Sequence, residues 1–432
     1  MNCEGEGSNR SREEDRFSGL PNRIAYRILS FLTIKDVACF SICFCEASCE
    51  VRLKLVNSLD RFLLQRGDNK IEYFRLVWKS HAHFRIVTWI HNALRCNVKV
   101  LDVKNRVVDF EDELYTLFPS CVFLCATLTS LAVDMDFTMV KTPSVAFSSN
   151  LVYLKLLNVK IEDEGFFKWI SCSCKFIKEI FLFGISVRGN IIIKSSSLEK
   201  FGYVDGGSFT LSHLNISGEK LEVINITWRF NSPDDKSLNI FAPRLKDLCW
   251  RGSLVNQANL GELECLEKAD ICLEPKADDS DKLIKHFYSL HRVEHLVLNA
   301  ATFKFDLVSL LRGLHKLCTL YITYFAVPSS MDPQPNVSGF DKEYWKLQNL
   351  DFIDQIKEVT VELDGSNNGI EFARYILEHA KNLEQMCIQN FLDLSDDAIL
   401  KLNDSKKMSK ATVIFEAGYR SRPRFDFDWE ED

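Results

Sequence analysis

The sequence lacks the features that mark a membrane-spanning or secreted protein. Nowhere do about eighteen apolar residues follow one another, which is the length that a spanning helix needs. Residues 1–19 are polar and charged, whereas a secretion signal has an apolar core. We therefore expect a cytoplasmic or nuclear protein, or one found in both compartments. The 15 cysteines are spread through apolar runs of a long chain, which favours reduced, buried thiols over a disulfide framework.

Common catalytic signatures are also missing. The sequence contains no glycine-rich phosphate loop, no serine nucleophile elbow and no His-Glu-x-x-His zinc motif. Phosphate binding draws on concentrated Lys and Arg, and this chain has no such cluster and a net charge of −7. These absences argue against an enzyme, and against nucleic acid or a membrane as a partner. They imply no cofactor.

The composition is that of a folded protein, because 46% of the 432 residues are hydrophobic and 26% are charged. A repeated pattern, apolar-x-x-apolar-x-apolar, dominates the chain. It begins at Ile71, Val98, Leu128, Leu151, Ile177, Leu198, Leu221, Leu245, Leu266, Val293, Leu317, Ile356 and Leu383. Most successive starts are about 21 to 30 residues apart, which overlaps the range of leucine-rich repeats.

The pattern predicts an α/β fold built as a curved leucine-rich-repeat solenoid. The last two apolar residues of each unit alternate along a short strand and point into the core, while the residues between them point outward. No unit can bury its apolar side alone, so the units must stack. Segments between the strands, such as residues 163–170, look helical and are expected on the convex side.

Outward residues of neighbouring strands lie side by side and would form a broad binding surface. Exposed aromatic and Arg side chains are typical of protein recognition. The alternative is that flanking loops cover many of these positions. The candidate target-binding residues are Tyr153, Lys155, Glu179, Phe181, Phe183, Arg251, His295, Tyr321 and Thr323.

A zinc site is the main rival chemistry. Cys39, Cys43, Cys45 and Cys49 are spaced so that a helix could direct thiolates at one ion, but zinc sites usually use Cys-x-x-Cys turns. Helix packing by small apolar side chains is the favoured interpretation, so we expect no metal. Weaker candidates for ligands or nucleophiles are Cys172 with Cys174, His81 with His83, and His286 with His291.

Residues 20–49 read as a small helical hook. Pro21 suits the opening turn of a first helix, and Thr33 can cap the start of a second. Ile24, Ile28 and Phe31 recur at helical spacing on one apolar stripe. Two helices this short bury too little surface to be stable alone, so the hook needs a partner.

The hook resembles the F-box, the motif by which substrate receptors bind the Skp-type adaptor of a cullin ubiquitin ligase. The resemblance rests on Leu-Pro at 20–21, Ile-Leu-Ser-Phe-Leu at 28–32, Lys-Asp-Val at 35–37 and Ser41. It departs from the usual pattern at Asn22, Arg23 and residues 44–47. The residues that the resemblance assigns to adaptor binding are Leu20, Pro21, Ile24, Ile28, Leu29, Phe31, Leu32, Val37 and Ser41.

Later segments resemble plant F-box proteins with leucine-rich repeats and a C-terminal FBD-type region. Examples are Ala-Pro-Arg-Leu at 242–245 and Glu-Phe-Ala-Arg-Tyr-Ile-Leu at 371–377, and the resemblance covers roughly residues 18–415. It implies a disordered N-terminus at 1–17, an F-box at 18–60 and repeats at 61–327. An exposed insertion would follow at 328–342, then FBD-like terminal repeats at 343–416 and an acidic mobile tail at 417–432.

The resemblance implies a non-catalytic substrate receptor that binds a Skp-type adaptor, and through it a cullin, while the repeats hold an unknown target protein. Two other functions stay open. The departures at Asn22, Arg23 and 44–47 are compatible with an interaction scaffold whose F-box has decayed. A small-molecule receptor on the repeat fold is a further alternative, which a pocket ringed by Arg and aromatic side chains would favour.

Overall fold

The computed structural model describes most of the repeat region. The described ranges are 70–78, 83–106, 115–142, 148–207, 211–232, 235–274, 288–299, 313–323, 350–363, 367–390 and 394–417, with residues 57, 59–61, 63, 282–283 and 311. The helical hook, the cysteines at 39–49, the insertion at 328–342 and the tail from 418 lie outside them. The chain divides into two compact units, Met1–Asp109 and Phe110–Asp432.

The first unit contains one strand–helix–strand repeat. Strand β1 (Tyr73–Trp78) pairs in parallel with β2 (Val100–Asn105), and helix α1 (His83–Arg95) connects them. The helix buries Trp89, whose indole Nε1 donates a hydrogen bond of 2.6 Å to Asp60, and Arg85 pairs with the same carboxylate at 3.1 Å. Asp60 therefore ties the segment that precedes the repeats to the first helix.

The second unit is built on one long parallel sheet, the main sheet. Its strands follow the order β4-β5-β6-β8-β10-β12-β14-β15-β16-β17-β18-β19, and the short β3 (Thr116–Leu117) pairs with β4. The bounds are β4 Ser130–Val140, β5 Tyr153–Ile161, β6 Glu179–Val187, β8 Lys200–Asp205, β10 Val223–Trp228, β12 Asp247–Ser253, β14 Lys268–Glu274, β15 His295–Asn299, β16 Thr319–Thr323, β17 Glu358–Leu363, β18 Gln385–Asn390 and β19 Thr412–Ala417.

The predicted repeats are confirmed as parallel strands. The last two apolar residues of every motif lie on a strand, and equivalent residues pair across the sheet, as Leu154 does with Ile180 and Ile180 with Phe201. Among the inner residues that the pattern predicts, only Phe74 is not fully buried. Stacked inner side chains thus form the core, as expected if each coil covers the next.

A second sheet corrects the expectation of helices on the opposite side. Strands β7 (Ile191–Lys194), β9 (His213–Ser217), β11 (Ser237–Phe241) and β13 (Gln257–Asn259) form a parallel sheet in the order β13-β11-β9-β7. The motif starts between 177 and 266 are only about 21 to 24 residues apart. Each connection there is too short for a helix of average length, so it forms an extended strand instead.

Helices occupy the longer connections. Helix α2 (Gly165–Ser173) confirms the helical segment predicted at 163–170, and α3 (Asn367–His379) and α4 (Asp396–Lys406) lie in the C-terminal repeats. Short 3₁₀ turns occur at Ser120–Leu124, Tyr288–Leu290 and Asp351–Asp354. In the described part of the chain, no helix has the length and apolar character needed to cross a membrane.

Candidate functional site

The candidate binding surface is the strand face, by which we mean the outward residues of the main sheet from β4 to β19. Because the strands are parallel and in register, these residues form rows across the sheet. In one row Lys155, Phe181 and Gly202 are neighbours on β5, β6 and β8. Adjacent strands lie about 4.8 Å apart, so a row brings together side chains that are distant in sequence.

Three aromatic rings meet on the first part of the strand face. The ring centroid of Phe181 lies 5.6 Å from that of Tyr153 and 6.1 Å from that of Phe183. Tyr153 and Phe183 are half-buried, but Phe181 is only 1% exposed, so its predicted exposure is wrong. The reason is Gly202: a Cβ there would lie 2.9 Å from the Phe181 ring and 3.2 Å from the Phe183 ring, which occupy that space.

Charged residues surround these rings. Glu179 is half-buried and lies 3.5 Å from the Lys200 ammonium group, and Asp134 accepts a 2.8 Å hydrogen bond from Asn158. Lys155 is also half-buried, beside Phe181. Within the described ranges, the Lys155 ammonium group makes no hydrogen bond or ion pair. It is thus a cation among aromatic and aliphatic side chains, while the nearby carboxylates have other partners.

Arg251 has a structural partner that the sequence did not reveal. Its Nε donates a 3.3 Å hydrogen bond to Asp270, and its Nη2 pairs with the same carboxylate. The Cys272 thiol also donates to Asp270, at 3.2 Å. Burial lowers the pKa of Arg251, but the attraction of Asp270 outweighs it and the pKa is raised. Arg251 is therefore a fixed, half-exposed charge on the strand face.

The predicted exposure of Tyr321 and Thr323 is wrong. Their side chains donate hydrogen bonds of 2.5 Å and 2.8 Å to the two oxygens of Glu362, which is itself buried. Tyr321 also packs in a buried cluster with Cys272 and Val297. A buried carboxylate needs hydrogen-bond donors in place of water. These two hydroxyl groups provide them.

One target-binding candidate remains, and the adaptor-binding candidates follow it. His295 is half-buried at the start of β15, beside Lys268 and Thr319. The residues predicted to bind the adaptor all lie outside the described ranges, namely Leu20, Pro21, Ile24, Ile28, Leu29, Phe31, Leu32, Val37 and Ser41.

The weaker ligand candidates show no metal-site geometry. No group of three His, Cys, Asp or Glu side chains that could hold a metal ion occurs among the described residues. Cys172 is exposed, while burial raises the pKa of the Cys174 thiol to about 12, so this thiol stays protonated and a poor nucleophile at neutral pH. His81 and His286 lie outside the described ranges.

A titratable cluster lies at the end of β8. Asp205 accepts hydrogen bonds from the Tyr203 hydroxyl group at 3.1 Å and from the Gly207 amide at 2.9 Å. Burial raises the pKa of Asp205, although these hydrogen bonds and the charge of Lys236 oppose it. Burial likewise lowers the pKa of Lys236, whose ammonium group donates to the carbonyl oxygen of Leu211.

The Asp205 shift predicts a pH dependence of stability. Because the pKa is raised in the folded state, that state binds more protons than the unfolded state above the ordinary carboxyl value of about 4. The contribution of Asp205 to stability should therefore fall as pH rises through the interval up to the folded value. Urea unfolding at several pH values should therefore show that the slope of stability against pH in this interval is more positive for Asp205→Asn than for wild type. An unchanged slope would contradict this assignment.

Comparison with known proteins agrees with this geometry. An F-box/LRR-repeat protein of Arabidopsis thaliana is 26% identical over 250 residues, which cover 55% of this chain and 53% of that protein. An F-box/FBD/LRR-repeat protein of the same plant is 21% identical over 467 residues, covering 94% of this chain and 96% of that protein. The chain is similar to plant F-box proteins with leucine-rich repeats. No family model matches it.

The extent of these matches differs from one relative to another. The first relative is matched over only about half of its own length, and a further F-box/LRR-repeat protein is 26% identical over 61% of this chain and 68% of that protein. The match to the F-box/FBD/LRR-repeat relative spans nearly the whole of both chains. The relative matched over nearly its whole length is thus one named for an F-box, an FBD region and leucine-rich repeats.

Proposed function

We propose that the chain is the substrate-recognition subunit of a Skp-cullin-F-box ubiquitin ligase. The hook at residues 20–49 binds a Skp-type adaptor, and through it a cullin, while the strand face holds a target protein. The observation that carries the proposal is an F-box-like segment followed by parallel repeats. Similarity to an F-box/FBD/LRR-repeat protein over 94% of the chain supports it.

In this function the chain contributes proximity and no chemistry. A target lysine held near a thioester on another subunit is presented at high effective concentration, and restricting its motion accelerates attack. The contacts of Asp60 with Trp89 and Arg85 attach the chain that precedes the repeats to the first repeat.

Adaptor binding tests the proposal. We expect the full chain to bind a plant Skp-type adaptor, and Leu20→Ala/Pro21→Ala to weaken this binding about tenfold or more, because anchoring apolar residues dominate interface energies. The matched control is Asn22→Ala/Arg23→Ala, which changes two residues that depart from the F-box pattern and should bind nearly as well as wild type. Calorimetry or a quantitative pull-down measures both.

A second candidate function is an interaction scaffold that does not recruit an adaptor. The sequence departures at Asn22, Arg23 and residues 44–47 favour it. Absence of adaptor binding by the wild-type chain would overturn the ligase proposal and leave the scaffold. The strand face would then bind its partner without ubiquitin transfer.

A further inference from the structure

Strand β5 keeps accessible side chain in the middle of the strand face. On β14, β15 and β16 the middle outward residues are nine-tenths or more buried, with Asp270 at 1%, Val297 at 3% and Tyr321 at 4%. On β5 and β6, Tyr153, Lys155 and Phe183 remain half-buried and so retain surface that solvent reaches. A target segment that contacts the strand face would find more accessible side chain there than in the middle of β14 to β16.

Lys155 determines what charge such a segment should carry. The nearby carboxylates of Glu179 and Asp134 interact with Lys200 and Asn158. Lys155 has no ion pair within the described ranges, although it is partly withdrawn from water among Tyr153 and Phe181. A cation in such a place gains most from an opposite charge that arrives with an apolar neighbour, because attraction strengthens as water is excluded.

We infer that Lys155 is the specificity-determining residue for an acidic target segment, in which an Asp or Glu carboxylate pairs with the Lys155 ammonium group and an adjacent apolar side chain packs on Tyr153 and Phe183. A single lysine matches the single charge of a carboxylate. A phosphate group carries nearly two charges and is usually bound by clustered Arg. This inference rests on the proposed target-binding role of the strand face and does not depend on adaptor binding.

Peptide libraries bound to the full chain test the inference. Each library has one fixed central residue (Asp, Asn, Lys or phosphoserine) flanked by random apolar positions. We expect the fixed-Asp library to be retained about tenfold more than the fixed-Asn library, with no further gain for phosphoserine. Lys155→Gln should abolish the preference, and Lys155→Glu should transfer it to the fixed-Lys library, which a misfolded variant would not do.

The matched control is Lys268→Gln. Lys268 is also a half-buried strand-face lysine, but it lies on β14. The inference predicts that this variant keeps the wild-type preference. A preference for phosphoserine, an effect of Lys268→Gln equal to that of Lys155→Gln, or an unchanged preference in Lys155→Glu would each overturn it. Loss of adaptor binding with retained peptide preference would refute the ligase function alone.

Discussion

Replacing Gly252 with alanine should lower the free energy of unfolding by about 3 kcal/mol or more, the largest loss that we expect from a single added methyl group. Gly252 has φ +107, a conformation that residues with a Cβ rarely adopt, and it pairs with Trp228 across β10 and β12. A Cβ at this position would collide with the carbonyl oxygen of Trp228. That oxygen belongs to the backbone of the neighbouring strand β10, so it cannot move aside without disturbing the sheet.

Gly207→Ala is the matched control. Gly207 also has positive φ, at +77, but nothing lies within 4 Å of the place where its Cβ would be. Its loss should be about 1 kcal/mol, from backbone strain alone. Chemical denaturation gives the free energy of unfolding of both variants. The difference between their losses measures the cost of the collision with Trp228, apart from backbone strain. Equal losses would mean that the contact with Trp228 relaxes at little cost.

The second large effect is expected from Arg251→Ala, which should cost about 2 to 3 kcal/mol of unfolding free energy. The variant leaves the Asp270 carboxylate, 1% exposed, without its cation. Among the described residues, the Cys272 thiol is then its one remaining side-chain hydrogen-bond donor. Arg251 is itself 36% exposed, so the loss should stay below that of a fully buried pair. The cost arises mainly from the charge that remains.

Two comparisons test this explanation by urea unfolding. Lys141 pairs with Glu162 at 3.1 Å with both side chains well exposed, so Lys141→Ala should cost less than about 1 kcal/mol. The double variant Arg251→Ala/Asp270→Ala should recover part of the single-variant loss, since it leaves no unpaired carboxylate. A loss for Arg251→Ala no greater than that for Lys141→Ala would contradict the prediction.

The inward-facing residues of the strands were predictable because they follow a pattern that repeats within each short segment of the sequence. Side chains of a strand alternate between its two faces, so the motif positions identify buried residues without knowledge of their neighbours. Strand β19 shows the limit: Val413 and Phe415 continue the alternation, but Lys410 stands where the motif begins with an apolar residue. The sequence pattern therefore did not predict this last repeat, although β19 pairs with β18 in parallel as the other strands pair with their neighbours.

The outward half was not predictable because its burial depends on residues of other repeats. Phe181 and Phe183 are the same residue type two positions apart, yet on β8 Phe181 is paired with Gly202, which has no side chain, whereas Phe183 is paired with Val204. Likewise, Tyr321 and Thr323 are withdrawn from solvent with Glu362 on the next strand.

The regular strand spacing of the main sheet also sets a length scale for recognition. Six strand steps separate Lys155 on β5 from His295 on β15, or about 29 Å along the sheet at 4.8 Å per step. An extended peptide advances about 3.3 Å per residue, so about nine residues would reach from one to the other. A shorter target motif would contact only a few adjacent repeats. Duplication or loss of one repeat would change the distance between the contacts on either side of it by one strand spacing.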